Sequence, residues 1–119
     1  MRITDELRSR CKAFASAVVR AFIHLPRQRE EVAVLGKQML RSGTSVASHV
    51  REASRARSDS EFCSKLDELL QEADETQLWL ELLMEDCQIQ LPEMPVIHRE
   101  AGELIAIFTT IVHKTRRNL

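Results

Sequence analysis

The chain has 119 residues, a length that suits one domain with its own core and no need of disulfides or metals. Gly and Pro contribute only three residues each and Tyr none, which disfavours a turn-rich β fold and favours long helices. The formal net charge of −1 would ordinarily exclude a strongly basic nucleic-acid-binding protein.

The charges are strongly segregated along the chain. Residues 1–57 hold twelve Lys or Arg and five acidic residues, residues 58–98 hold one and eleven, and residues 99–119 hold four and two. A nearly neutral total therefore conceals a basic first half and an acidic middle. Because of this charge distribution, nucleic acid remains a candidate partner.

The sequence favours a cytoplasmic protein without a membrane association. No apolar run approaches the roughly 20 residues that cross a bilayer, and the first ten residues are polar, unlike a signal peptide. The three cysteines, Cys11, Cys63 and Cys87, are an odd number at wide spacing, and each falls in an apolar helical stripe. We expect them to be reduced core residues.

The basic first half contains two predicted helices. The first spans about residues 4–25 and ends because Pro26 follows, while the second spans about residues 31–57. Small side chains around Gly43 would let another helix approach the second one closely, and a kink or break at residues 42–44 is the alternative. Their apolar faces are Leu7, Cys11, Phe14, Val18, Phe22 and Leu25, then Val32, Leu35, Met39, Val46, Val50 and Ala53.

Two more helices are predicted in the second half. One spans about residues 58–88, since Ser58 and Glu61 form a capping box, and the other spans about residues 96–116, after a connection bracketed by Pro92 and Pro95. Their apolar faces are Phe62, Leu66, Leu69, Ala73, Thr76, Leu80, Leu83 and Cys87, then Ile97, Ala101, Leu104, Phe108, Ile111 and Thr115. The predicted fold is all-α, a single antiparallel up-down four-helix bundle with left-handed packing over residues 1–119.

One long motif resembles a known family. It begins with the segment QMLRSGTSVASHVREASRARS, residues 38–58, and continues through Phe62, Lys65-Leu66 and the segment EADETQLWLELL, residues 72–83. This pattern resembles the four-helix-bundle proteins encoded in intervening sequences of bacterial 23S ribosomal RNA genes. The accessory variability proteins of diversity-generating retroelements are similar in fold.

The resemblance implies a bundle that assembles as a ring-like homopentamer, with no catalytic residues and no cofactor. In the retroelement branch it implies a basic barrel that binds nucleic acid and a reverse transcriptase. Two features of this chain depart from the family pattern: His49 stands where Asn is usual, and the net charge is slightly acidic.

The residues themselves predict no enzyme and no metal site. A di-metal bundle would need a Glu-x-x-His motif on two helices, and none of the four histidines completes one. There is no Cys-x-x-Cys motif and no Gly-rich phosphate loop. His98 and Glu103 are interpreted as scattered surface residues, and Cys63 as a structural thiol beside acidic neighbours.

The predicted functional surface is a basic face on the second helix. Lys37, Arg41, Arg51 and Arg55 recur there at helical spacing, together with Thr44 and Ser48. One hypothesis is that this face follows the phosphates of a nucleic acid. The alternative is a solvated face, or one that pairs with the acidic third helix.

A second predicted surface is an oligomer interface on the third helix. Leu78, Trp79 and Leu82 point away from the core stripe, and Leu78 and Leu82 fall opposite it, so cover by another subunit is expected. A ring needs two unlike surfaces on each subunit, and we expect the basic face of one to meet Glu72 and Glu75 of the next. The leading hypothesis is therefore a non-enzymatic homo-oligomeric scaffold for nucleic acid or a nucleic-acid enzyme; the alternative is a purely structural or protein-binding oligomer.

Overall fold

A computed structural model describes residues 3–119 and contains four α-helices. They are α1 (Asp5–His24), α2 (Glu30–Ser54), α3 (Asp59–Glu81) and α4 (Glu93–Arg117), with a single π-helical turn at Leu82–Asp86 after α3. No strand occurs in this part of the chain. The all-α prediction is confirmed.

The helices begin where the side chains supply caps. The Thr4 hydroxyl accepts a hydrogen bond from the Leu7 amide, and the Ser58 hydroxyl accepts one from the Glu61 amide, each at 3.0 Å. These contacts satisfy amide groups that the first turn of a helix leaves without a partner. The predicted cap at Ser58 is confirmed.

Three predicted boundaries were wrong. Helix α2 ends at Ser54 instead of residue 57, because Ser58 must adopt an extended conformation to cap α3. Helix α3 gives way to the π turn at Leu82, short of residue 88. Helix α4 begins at Glu93 instead of residue 96, so Pro95 lies in its first turn, where the missing N–H costs no helical hydrogen bond.

Helix α2 is continuous through residues 42–44, so the predicted alternative of a break is excluded. Gly43 is buried, and a Cβ atom there would lie 2.7 Å from the Val18 Cγ1 atom of α1. The absence of a side chain is what lets α1 and α2 pack this closely. On the other side, the buried Ser42 and Thr76 hydroxyls form a 2.7 Å hydrogen bond between α2 and α3.

Each helix packs against its neighbours in the chain, and α1 also packs against α4, which closes the bundle. Neighbouring helices run antiparallel and are joined by hydrogen bonds. These bonds link Arg8 with Ser54, Ser42 with Thr76, and Gln77 with His98. The structure extends 48 × 21 × 20 Å. No helix within residues 3–119 has the length and apolar character needed to cross a membrane.

The core follows most of the predicted stripes, but Leu7, Phe22, Leu35 and Ile111 are only partly buried. Phe14, Met39, Leu69 and Phe108 are among the side chains buried where the four helices meet. On α4, however, Val112 is buried and Ile111 is only half-buried, so the apolar stripe steps by four residues after Phe108. All three cysteines are buried and free of disulfides, as predicted.

Candidate nucleic-acid interface

A groove of about 740 Å³ runs between α1 and α2 and reaches the beginning of α3. Four cationic side chains and two carboxylates line it, together with small residues of α2. The cations are Lys12, Arg51, Arg55 and Lys65, and the carboxylates are Glu52 and Glu61. The groove therefore carries a surplus of positive charge.

Helix spacing and antiparallel packing explain this concentration of charge. Arg8 and Lys12 lie four residues apart on α1 and share a face of it, while Arg51 lies in the last turn of α2 and Arg55 directly follows the helix as its C-cap residue. Arg8 lines two smaller cavities that continue the groove, one with Arg51 and Arg55 and one with Lys12 and Arg51. The sequence-predicted residues Arg51 and Arg55 thus meet two further cations from α1.

Three of these cations are exposed and have no carboxylate partner within the described part of the chain: Lys12, Arg51 and Arg55. Arg8 differs, because it pairs with Asp5 and donates 3.3 Å hydrogen bonds to the Ile3 carbonyl and the Ser54 hydroxyl. The charge of the three unpaired cations is therefore available to an anionic ligand.

The other half of the predicted basic face is arranged differently. Arg41 Nη1 lies 3.3 Å from Glu72 Oε2, and Arg41 Nη2 lies 3.0 Å from Glu75 Oε1, both on α3 of the same chain. Lys37 is exposed one turn earlier on α2. The interpretation that the basic face pairs with the acidic third helix is therefore correct for Arg41, and its Glu72 and Glu75 partners are engaged inside one subunit.

The predicted oligomer interface is only partly exposed. Leu78 is 46% exposed, whereas Trp79 and Leu82 are half-buried and Trp79 packs against the core. Leu82 begins the π turn, which winds more residues into each turn and so changes the direction of the side chains that follow. Larger exposed fractions occur at Ile23, Val34 and Val96.

All three cysteines are buried, so none offers an exposed thiol for covalent catalysis. The Cys63 side chain is buried, and burial raises the pKa of the Cys11 thiol to about 12, so that thiol is protonated at neutral pH. His98 Nε2 bonds to Glu81 at 2.7 Å, whereas Glu103 bonds to Arg10 at 2.8 Å. His98 and Glu103 therefore do not form a common site, as predicted.

One cluster of potential metal ligands was missed by the sequence search. One ligand atom each from His49 and Glu52 on α2 and Glu68 on α3 all lie within 4.8 Å of one another. His49 also lowers the pKa of the Glu52 carboxyl by hydrogen bonding to it. The cluster does not match the Glu-x-x-His motif, because it has the reverse order, His-x-x-Glu, and takes its third ligand from another helix.

Comparison with known proteins identifies the family. Residues 6–110 match the family model described as 23S rRNA-intervening sequence protein. A crystal structure of a protein of unknown function from the S23 ribosomal protein family of Bacteroides thetaiotaomicron is 32% identical, with a TM-score of 0.80 over 88% of this chain and 96% of that one. No curated protein is significantly similar. The chain belongs to the 23S rRNA-intervening sequence protein family.

Proposed function

We propose that this chain is a non-enzymatic helical scaffold that assembles with copies of itself and binds the sugar-phosphate backbone of a nucleic acid. The observation that carries the proposal is the groove between α1 and α2. Lys12, Arg51 and Arg55 line it, are exposed and are not neutralised by carboxylates within residues 3–119.

A polyanion suits this groove better than a small anion. The cations are distributed along two helices and continue past Arg8 beyond the main cavity, so successive phosphates of one strand would contact them together. Each neutralised phosphate releases counterions, which drives binding in dilute salt. The family name also connects these proteins with 23S ribosomal RNA.

Binding through this groove should not depend strongly on base sequence. None of the side chains that line it is aromatic, so it offers no stacking platform for bases. Lysine and arginine contacts to phosphates fix the position of a strand but do not read its bases. We therefore expect similar affinities for unrelated RNA and DNA sequences of equal length.

Fluorescence anisotropy with labelled RNA and DNA of mixed sequence, measured from about 50 to 200 mM salt, tests the proposal. Three phosphate contacts would give a slope of log K against log salt near −2 to −3. A salt-independent affinity, or no binding at about 50 mM salt, would contradict it.

Self-association is supported by the exposed apolar residues. Ile23, Val34 and Val96 are each more than half exposed, and Leu78 is 46% exposed. Apolar surface of this kind on an isolated bundle favours contact with another chain. The ring-like pentamer implied by the family resemblance would repeat the groove around the assembly, so that several weak phosphate contacts act together.

Sedimentation equilibrium at micromolar concentration tests self-association, and a single species of 13.7 kDa would contradict it. Leu78→Glu tests the interface better than Leu82→Glu, because Leu78 is exposed and its substitution leaves the core intact, whereas Leu82 is half-buried. If α3 forms the interface, Leu78→Glu lowers the oligomer mass without loss of helical content.

The second candidate function is a purely structural or protein-binding oligomer. The apolar residues at the surface favour it, because a protein neighbour would cover them whether or not nucleic acid is bound. An oligomer that retains no nucleic acid at low salt would support this function over the first.

A further inference from the structure

The cluster of His49, Glu52 and Glu68 spans α2 and α3 at the end of the basic groove. His49 Nδ1 and Glu52 Oε1 are 2.6 Å apart, one helical turn from each other on α2. Glu68 contributes an oxygen, Oε2, that is inaccessible to solvent and accepts no hydrogen bond from residues 3–119. The Glu68 side chain as a whole is 47% exposed and that of Glu52 is 44% exposed, so the cluster is open to solvent.

The cluster has a cation of its own. Lys65 Nζ lies 3.4 Å from Glu68 Oε2 and 3.8 Å from Glu52 Oε2, so its ammonium group bridges two of the three potential ligands. Both distances exceed those of a strong charged hydrogen bond. One ammonium group therefore faces two carboxylates.

The remaining nitrogen of His49 lies near a carboxylate, although beyond hydrogen-bond distance. His49 Nε2 lies 3.9 Å from Glu72 Oε2, and both side chains are less than 20% exposed. Histidines that bind a metal through one ring nitrogen commonly give the other N–H to a carboxylate, which fixes the ring and strengthens it as a ligand. Glu72 stands where such a carboxylate would be needed.

We propose that His49, Glu52 and Glu68 form a binding site for a divalent transition-metal ion, with Zn²⁺ as the best-suited ion. One imidazole nitrogen and two carboxylate oxygens are ligands that zinc accepts, and solvent would complete the coordination. In a tetrahedral zinc site with bonds of about 2.0–2.2 Å, ligand atoms are roughly 3.4 Å apart. The ligand atoms already lie within 4.8 Å, so small side-chain rotations close the site.

The site is coupled to the groove, since Glu52 and Lys65 line both. A bound dication would neutralise Glu52 and displace the Lys65 ammonium toward the groove. The groove would then gain a free lysine and lose a negative charge. Metal binding should therefore strengthen phosphate binding, an effect that rests on the proposed function of the groove.

Isothermal titration of the metal-free full-length chain with ZnCl₂ alone tests the site without nucleic acid. We expect one ion per chain, and His49→Ala or Glu68→Gln should weaken binding at least tenfold. His49→Ala retains all three cysteines, so zinc bound by thiols would persist in this variant. Unchanged affinity in His49→Ala, or no binding by the wild-type chain, would overturn the proposal.

His98 offers a matched control, because it pairs with Glu81 at 2.7 Å between helices but has no third ligand. His98→Ala should change zinc affinity less than twofold. Lys65→Met removes the competing ammonium and should strengthen zinc binding several-fold, whereas a weaker or unchanged affinity would contradict the assigned role of Lys65.

The coupling is tested by repeating the RNA titration with and without stoichiometric Zn²⁺. The wild-type chain should bind RNA severalfold more tightly with zinc, and His49→Ala should show no such gain. An equal gain in both would indicate zinc bound to the RNA and would overturn the coupling. Failure of the chain to bind RNA under either condition would refute the proposed groove function, while the zinc titration alone still decides the metal site.

Discussion

The two halves of the basic face on α2 carry the same kinds of residues but lie beside different neighbours. In the first half, Arg41 lies against α3 and forms ion pairs with Glu72 and Glu75. In the second half, Arg51 and Arg55 line the groove together with Lys12, a cation of α1.

The difference shows that helix spacing alone does not determine whether a basic face binds an anion. Both halves have the four-residue spacing that places cations on one face. The neighbouring helix decides the rest: α3 supplies carboxylates that neutralise Arg41, whereas α1 adds positive charge. A free cluster of this kind persists because its charges stay exposed to water, where repulsion between them is weak.

Reversing the charges of Arg51 and Arg55, the half of the basic face without carboxylate partners, should have the largest effect on RNA binding. Arg51→Glu with Arg55→Glu should weaken RNA binding roughly 100-fold at low salt and reduce the salt slope by about two. The matched control, Lys37→Glu with Arg41→Glu, makes the same charge change on the same helix and should cost less than about threefold. Anisotropy titrations at two salt concentrations measure both, and equal losses would show that only total charge matters.

The close approach of α1 and α2 should also be essential to the groove. In Gly43→Ala the new Cβ would lie 2.7 Å from Val18 Cγ1, so overpacking should reduce the free energy of unfolding by about 1–3 kcal/mol. Adding Val18→Ala should recover part of that loss by making room.

Gly102→Ala is the control for Gly43→Ala. Its Cβ would meet only Gln77 Nε2, at 3.2 Å, and would shift that amide slightly in its hydrogen bond to the His98 carbonyl, whereas alanine favours the helix by about 1 kcal/mol. Denaturant unfolding of the variants measures the difference. Equal losses in Gly43→Ala and Gly102→Ala would show that the contact with Val18 has no special importance.

The sequence predicted the fold well because its strongest signals are local and periodic. The apolar stripes, the caps at Thr4 and Ser58, and the small residues around Gly43 each act within one helix or one contact. The boundaries that were wrong depend on less local effects. The early start of α4 requires Pro95 to lie in a first turn, and the π turn at Leu82 has no recognisable sequence pattern.

Only half of the candidate site was predicted from the sequence, because charge pairing depends on which helices are neighbours. Arg51 and Arg55 were identified from α2 alone, but Arg8 and Lys12 join them only after α1 is packed antiparallel to α2. The neutralisation of Arg41 was one of two alternatives that spacing left open. The cluster of His49, Glu52 and Glu68 combines two helices, so no motif within one segment would reveal it.

The smallest expected effect is on the free energy of unfolding. It should change in opposite directions when one arginine is neutralised in each half of the basic face, Arg41 in the first and Arg51 in the second. Arg41→Gln removes ion pairs and should lower the free energy of unfolding by about 0–1 kcal/mol, since its side chain is 53% exposed. Arg51→Gln removes a cation from beside other cations and should raise that free energy by a few tenths of a kcal/mol. Salt screens both effects, so the two variants should converge on the wild-type chain in 1 M salt, where the screening length is about 3 Å. Parallel urea titrations in low and high salt measure the difference. The same sign of change in both variants would mean that Arg51 has a favourable partner in solution, and the distinction between the paired and free halves would then fail.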